Sequence, residues 1–154
     1  MLAADLVSEL RSSLEVHALD KEDCDITNEV SLETLILPLH PTWIINCAAI
    51  TNVDGCEDAL KDIAYQVNGY ALTNIAKCAK KVGAKVIHIS TDYVFDGIKK
   101  DGYVENDIQN PQSEYGKSKA LGENLLLQHY PEGSYIVRTS WLYGKEGKNF
   151  VTTM

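Results

Sequence analysis

Tyr115 and Lys119 have the residue types and the spacing that proton transfer requires. Residues four apart on a helix share one face, so the Lys119 ammonium can approach the Tyr115 phenol and favour its phenolate. An unperturbed phenol titrates near pH ~10, and a neighbouring cation with a hydroxyl donor such as Thr91 or Ser90 would lower its pKa toward the working pH. We therefore expect Tyr115 to exchange a proton in a reaction coupled to hydride transfer.

The position of a polar cluster strengthens this interpretation. Ser90, Thr91 and Asp92 follow the apolar run 85–89, which is typical of a buried parallel strand. Ligands bind beyond the carboxyl ends of strands in open α/β sheets. A Tyr followed by a Lys four residues later is, by itself, more often an ordinary solvated helix face. The cluster makes a catalytic pair the better prediction.

Alternating strand and helix patterns organise the chain around these residues. Apolar runs predict strands at 16–19, 43–49, 85–89 and 135–138. Helical spacing predicts helices at 2–14, from Thr27 or Asn28 to 37, at 56–82 with Gly83 at its end, and at 115–130. Strands separated by helices of this length indicate an α/β fold with a doubly wound parallel sheet, covered on both faces.

Composition excludes several classes of protein. The 154 residues carry a net charge of -8 and no basic stripe, which opposes nonspecific nucleic-acid binding. The four cysteines lack a C-x-x-C spacing, so we predict neither a metal site nor a disulfide framework. No apolar stretch approaches the ~20 residues that span a bilayer, and Asp5 and Glu9 lie where a signal peptide would be basic and then apolar. We expect no membrane association and, by default, a cytoplasmic location.

Four sequence blocks stand out: Asn-Cys-Ala-Ala at 46–49, Ser-Thr-Asp-Tyr-Val-Phe-Asp-Gly at 90–97, Tyr-Gly-Lys-Ser-Lys at 115–119, and Arg-Thr-Ser-Trp-Leu-Tyr-Gly at 138–144. In this order they resemble the extended short-chain dehydrogenase/reductase family and, within it, the dTDP-4-dehydrorhamnose reductases. The second and fourth blocks are much more specific than a bare Tyr-x-x-x-Lys. The resemblance implies a Rossmann-like fold and reduction of the 4-keto group of a dTDP-4-dehydro-6-deoxy sugar by NADPH or NADH. It thus implies a dTDP-sugar substrate, dTDP-4-dehydrorhamnose being converted to dTDP-rhamnose, and is compatible with a homodimer.

The resemblance also implies roles for individual residues. Tyr115 would protonate the forming alkoxide, Lys119 would bind the nicotinamide ribose and tune Tyr115, and Thr91 would hydrogen-bond the reacting oxygen. The other implied contacts are those of Thr91, Asp92 and Trp141 with the sugar, of Ala48, Ala49 and Ile50 with the dinucleotide, and of Asp25 and Ile26 with the adenine.

Each of these assignments has a plainer alternative. Ala48 and Ala49 could serve tight strand-to-helix packing, and Trp141 could be a core aromatic anchored at the surface. Asp92 could cap the loop after its strand. Asp20 is a weak candidate for a ribose contact, because an Asp at the end of a strand is more often a turn residue.

The chain departs from the family pattern at both ends. It has no glycine-rich turn of the kind that holds a pyrophosphate, and Ala3 stands about where the last glycine would be. We therefore interpret residues 1–154 as a partial NAD(P)-binding Rossmann-like domain, incomplete at both ends and with its carboxyl-terminal substrate region truncated. The missing first strand should leave a gap between the strands at 16–19 and 85–89. We expect low stability, weak cofactor binding and at most weak activity.

Two other functions remain open. One is a noncatalytic regulatory subunit resembling the beta subunit of methionine adenosyltransferase, which shares these motifs; the other is a structural α/β domain without a ligand. Intact Tyr115, Lys119 and Thr91 favour the enzyme. Copurification with a synthetase would identify the regulatory subunit instead.

Overall fold

A parallel three-stranded sheet lies at the centre of the computed structural model, which describes residues 2–144. The strands are β1 (Trp43–Asn46), β2 (Lys85–Thr91) and β3 (Ser134–Thr139), in the order β1-β2-β3. Asn46 is in register with His88, and Thr91 with Thr139. The carboxyl ends of all three strands therefore meet at one edge of the sheet, and the predicted α/β fold with a parallel sheet is confirmed.

The helices begin and end at residues whose side chains explain the boundaries. The Asn28 side chain accepts hydrogen bonds from the backbone N–H groups of Val30 and Ser31, which caps the second helix. Gly83 ends the fifth helix in the left-handed conformation, with φ of 71°. The helices are α1 (Leu2–Leu10), α2 (Glu29–Leu39), α3 (Val53–Cys56), α4 (Lys61–Ala64), α5 (Ala71–Val82) and α6 (Glu114–His129).

The main hydrophobic core lies between α2, α5, α6 and one face of the sheet. Its fully buried members include Leu72, Val86 and Leu126. The opposite face carries Trp43, Ile45, Tyr135 and Val137, which are between 37% and 46% exposed. The described residues thus cover one face well and leave the other largely open, whereas the sequence predicted cover on both.

The predicted strand at 16–19 is wrong. These residues are irregular, and Leu19 is 41% exposed. A strand forms only beside a ladder partner, and β2 already pairs with β1 on one side and β3 on the other. The predicted gap beside the strand at 85–89 is therefore also wrong, because the strand beginning at Trp43 takes that place.

Two predicted helices are interrupted. The helix at 2–14 ends at Leu10, where the Ser12 and Ser13 hydroxyls bond to the carbonyls of Glu9 and Leu10. The helix predicted at 56–82 is divided into α4, a π-turn at Tyr65–Tyr70 and α5, and its first residue, Cys56, is the last residue of α3. Within residues 2–144, no helix combines the length and apolar character that crossing a bilayer requires.

Candidate active site

The first turn of α6 places Tyr115 beside the end of β2. The Ser113 hydroxyl accepts a hydrogen bond from Gly116 N–H at 3.0 Å and caps the helix. A Cβ on Gly116 would lie 2.3 Å from the Tyr93 carbonyl oxygen, so only glycine permits this approach to the segment after β2. The Tyr115 ring is 9% exposed and meets the Tyr93 ring edge-on, with centroids 5.6 Å apart.

Thr91 and Asp92 lie at the carboxyl end of β2, as predicted. The Thr91 hydroxyl accepts from Tyr93 N–H at 3.2 Å and donates to Asp92 Oδ1 at 3.1 Å. Asp92 Oδ2 in turn accepts from the Ser140 hydroxyl at 2.7 Å. Asp92 therefore joins the ends of β2 and β3, which agrees with a role in holding the loop and leaves a sugar contact open.

Lys119 is almost fully buried against β2. Its Nζ donates to the Ile89 carbonyl at 2.7 Å and lies 3.2 Å from His88 Nε2. Burial lowers the pKa of Lys119 to about 8, although the Glu123 carboxylate acts in the opposite direction.

The lowered pKa expected for the Tyr115 phenol is wrong in direction. Burial raises the pKa of the Tyr115 phenol, because a phenolate loses its hydration there; the hydrogen-bonded Thr91 hydroxyl acts in the opposite direction without reversing the shift. Lys119 Nζ points instead to the Ile89 carbonyl and to His88. The structure therefore favours a protonated phenol, which is the form that a proton donor needs.

The buried side chains of His88 and Asn46, to which the sequence analysis gave no role of their own, join this cluster. His88 is fully buried between Asn46 and Lys119, with Asn46 Nδ2 at 3.1 Å from His88 Nδ1. Burial and, to a smaller degree, Lys119 lower the pKa of His88 to about 2, so the imidazole is neutral. The available signal was a histidine inside an otherwise apolar strand.

The segment after β1 presents Ala48, Ala49 and Ile50 at the same edge of the sheet. Asn68 in the π-turn binds both polar backbone groups of Ile50, accepting from its N–H at 2.8 Å and donating to its carbonyl at 3.0 Å. Asn68 Nδ2 also donates to the Ser118 hydroxyl on α6 at 3.0 Å. Asn68 thus fixes this segment to α6; its signal in the sequence was a polar residue within the apolar stripe of the predicted helix.

An ion pair between the buried Glu123 and the partly buried Arg138 lies near the cluster. Arg138 donates from Nε and from one terminal nitrogen to the Glu123 carboxylate, the shorter distance being 2.7 Å. The Ser90 hydroxyl and Gln109 Nε2 donate to the same carboxylate. Glu123 therefore ties α6 to both β2 and β3; it follows Lys119 by four residues, a spacing that could have identified it.

Asp25 lies in a different cleft from the catalytic candidates, and Ile26 packs against the main hydrophobic core. This cleft, of about 340 Å³, is lined by Asp25 and by residues of α4 and the π-turn. The Asp25 carboxylate accepts from the Thr27 hydroxyl and N–H, which lowers its pKa. Asp20 accepts from two backbone N–H groups of its own loop, as a turn residue does.

Trp141 follows Ser140 at the end of β3, on the edge that carries Asp92. Its side chain is 77% exposed, and its φ of 51° is uncommon for a bulky residue. The sugar contact assigned to it stays a prediction.

The chemistry of this edge fits a nicotinamide dinucleotide. A buried lysine amine and a protonated phenol stand at the carboxyl ends of parallel strands, which is where such sheets bind nucleotides. The small side chains of Ala48 and Ala49 leave the neighbouring backbone open to close approach. Residues Ala48, Ala49, Ile50, Tyr115 and Lys119 are therefore retained as candidate cofactor contacts, with Asp25 and Ile26 as candidates for the adenine end.

Known proteins resemble this chain over nearly its whole length. A family model described as RmlD substrate binding domain matches residues 1–154. A dTDP-4-dehydrorhamnose reductase from Aggregatibacter actinomycetemcomitans is 47% identical over 140 residues, which are 91% of this chain and 47% of that protein.

Solved structures of related proteins have the same fold as this chain. The crystal structure of a dTDP-4-dehydrorhamnose reductase from Clostridium acetobutylicum is 45% identical, with a TM-score of 0.91, and the match covers 97% of this chain and 53% of that one. A dTDP-4-dehydrorhamnose reductase from Bacillus anthracis, solved in complex with NADP, is 40% identical with a TM-score of 0.89, and the match covers 96% and 54%. The chain therefore has a Rossmann-like fold and spans about half the length of the relatives that it matches.

Proposed function

Because this chain belongs to the RmlD substrate binding domain family, we propose that it provides the cofactor-binding and proton-donating half of a reductase acting on a dTDP-4-dehydro-6-deoxy sugar. The reaction converts dTDP-4-dehydrorhamnose to dTDP-rhamnose with NADPH or NADH in the cytoplasm. The relatives named above support the reductase over the regulatory subunit. A homodimer is part of the same proposal.

The position of Tyr115, buried at the end of β2 beside Thr91, is the observation that carries this proposal. Reduction of a ketone adds a hydride to the carbonyl carbon and a proton to the oxygen, and the reduced cofactor supplies the hydride. Tyr115 gives its hydroxyl proton to that oxygen, and the raised pKa keeps this proton in place until the oxygen becomes basic. Thr91, which lies against the phenol, holds it in position; to stabilise the charge that develops on the reacting oxygen, the single hydroxyl hydrogen of Thr91 turns from Asp92 Oδ1 to that oxygen.

The test is a chimera in which residues 2–144 replace the corresponding segment of the Clostridium acetobutylicum relative. We expect the chimera to oxidise NADPH in the presence of dTDP-4-dehydrorhamnose. Tyr115→Phe in this chimera should lower kcat by about 10²- to 10⁴-fold, the range for a lost general acid, with little change in NADPH affinity.

Tyr70→Phe is the matched control, since it removes the same hydroxyl from a tyrosine that is 52% exposed. It should leave kcat unchanged. Unaltered turnover in the Tyr115→Phe chimera would contradict the role of Tyr115, and an inactive chimera beside an active parent would contradict the proposed reaction.

A further inference from the structure

A chain of hydrogen bonds links Lys119 to the backbone of the segment after β1. Ala48 N–H donates to Asn46 Oδ1 at 3.1 Å, and Asn46 Nδ2 lies 3.1 Å from His88 Nδ1. His88 Nε2 lies 3.2 Å from Lys119 Nζ. Asn46 is 5% exposed and His88 is fully buried, so water does not compete for the contacts of His88 with Asn46 and Lys119.

The backbone at Ala48 determines which tautomer His88 adopts. A backbone N–H only donates, so Asn46 must turn its oxygen to Ala48 and its amino group to His88. His88 Nδ1 therefore accepts a hydrogen bond, and the hydrogen of the neutral ring lies on Nε2.

This tautomer is compatible with only one charge state of Lys119. The His88 Nε2–H points at Lys119 Nζ, which can accept it only as a neutral amine with a lone pair. A charged ammonium would place two donors against each other in a buried space. If Lys119 is charged, the ring hydrogen of His88 moves to Nδ1, and the Asn46 amide turns so that its oxygen accepts that hydrogen. Ala48 N–H then loses its acceptor.

We propose that Asn46 and His88 are positioning residues that act through Lys119, coupling its charge to the hydrogen bond of Ala48 N–H by exchange of the His88 tautomer. With neutral Lys119, His88 carries its hydrogen on Nε2 and Asn46 binds Ala48. With charged Lys119, His88 carries it on Nδ1 and Ala48 N–H is free for another acceptor.

The other groups that act on Lys119 set the midpoint of this exchange and leave its direction unchanged. They are the Glu123 carboxylate on α6, which favours the charged amine, and the Cys47 thiol after β1. His88 itself faces Asn46 and Lys119 and stays neutral in both states.

The consequence for the reaction rests on the proposed function. Ala48 belongs to the segment proposed to contact the dinucleotide, and a ligand that offers an acceptor to Ala48 N–H would favour charged Lys119. By linkage, charged Lys119 would favour that ligand by the same factor.

The experiment reads the His88 tautomer directly by two-bond ¹H–¹⁵N NMR of the whole chain, from about pH 6 to about pH 10. A chain with His17, His40 and His129 replaced by Gln leaves His88 as the sole histidine signal. We expect His88 to stay neutral throughout and to change from Nδ1–H to Nε2–H with a midpoint near pH 8, the pKa of Lys119. A single tautomer across the range, or an imidazolium forming near pH 6.5, would overturn the proposal.

Asn46→Asp tests the same coupling from its other end. A carboxylate accepts from both Ala48 N–H and His88 Nδ1–H, so His88 should remain Nδ1–H over the whole range. Asn106→Asp adds the same charge at an exposed position in the loop before α6 and should leave the exchange unchanged. An unaltered exchange in Asn46→Asp would contradict the coupling. Neither measurement requires turnover, so a failure of the coupling is distinct from a failure of the proposed reductase.

Discussion

Lys119 and Tyr115 respond to the same cause, the exclusion of water at the end of β2. Burial disfavours the charged form of each group, which lowers the pKa of the lysine to about 8 and raises that of the phenol. Glu123 and the Thr91 hydroxyl moderate these shifts without reversing them. The site without ligand thus holds its two reactive groups closer to neutrality than free side chains would be.

Lys119 should make the stability of the chain depend on pH in the alkaline range. Its folded pKa of about 8 lies below the ordinary 10.5, so between these values the unfolded chain binds more protons and the unfolding free energy rises with pH. The full rise contributed by Lys119 is about 3 kcal/mol. Denaturant unfolding of the wild-type chain and of Lys119→Met, compared across this interval, measures it.

The comparison isolates Lys119, because the buried thiols and Tyr115 titrate in both proteins. The wild-type chain should gain stability relative to Lys119→Met from about pH 8 to about pH 10.5. A difference that stays constant over this interval would show that Lys119 keeps its ordinary pKa.

The sequence predicted the meeting of Thr91 with Tyr115 better than it predicted the contacts of Lys119. Thr91 and Tyr115 were predicted as neighbours because one ends a strand and the other begins the following helix, and they are neighbours. The contacts of His88 and Glu123 depend on strand register and on the depth of α6, which the sequence does not display. The direction of the Tyr115 shift was wrong because burial outweighed the charge that the spacing suggested.

At the scale of elements, α6 positions the site because it lies unusually close to its neighbours. Tyr115, Lys119 and Glu123 recur every four residues on its buried face. Two glycines permit the approach: Gly116 against the segment after β2, and Gly122 against the π-turn.

Gly122→Ala should therefore destabilise the chain although alanine favours helix. A Cβ at this position would lie 2.0 Å from the Asn68 carbonyl oxygen, which is backbone and cannot rotate away. We expect a loss of about 1–3 kcal/mol in the unfolding free energy, measured by denaturant titration. Gly69→Ala, on the facing π-turn, is the control, since its closest contact is the tip of the Leu121 side chain. Equal losses in the two variants would contradict the close packing at Gly122.

Elements with strong local signals were predicted well, and those that need distant partners were not. The apolar run at 85–89 and the helix at 115–130 agree with β2 and α6 to within two residues. The run at 16–19 was apolar enough for a strand but has no ladder partner in the described residues. The π-turn owes its shape to contacts of Asn68 with Ile50 and Ser118, which no helical periodicity reveals.

At the scale of the whole molecule, the sheet separates two environments. Val86 is fully buried on the face that α5 and α6 cover, and Val137 is 42% exposed on the other. Trp43 and Tyr135 share the open face, with ring centroids 5.7 Å apart and the Lys85 ammonium over both.

Matched substitutions on the two faces should lower the unfolding free energy by different amounts. Val86→Thr places a hydroxyl among the apolar side chains of the core and should lower the unfolding free energy by about 1–3 kcal/mol. Val137→Thr places the same hydroxyl at the open face and should change it by less than about 0.5 kcal/mol. Thermal or denaturant unfolding at two protein concentrations measures both. Equal losses of unfolding free energy in the two variants would mean that the second face is covered in solution.

The π-turn at Tyr65–Tyr70 also limits which insertions and deletions the chain can accept. Such a turn holds one residue more than regular winding needs. The widened turn absorbs that residue, so α5 keeps the orientation that a regular helix would give it. Deleting one residue there would restore ordinary winding and leave α5 in place, but it would move Asn68 away from Ile50 and Ser118. Shortening the chain by one residue at this point would therefore spare the helix and break the link that Asn68 makes between the segment after β1 and α6.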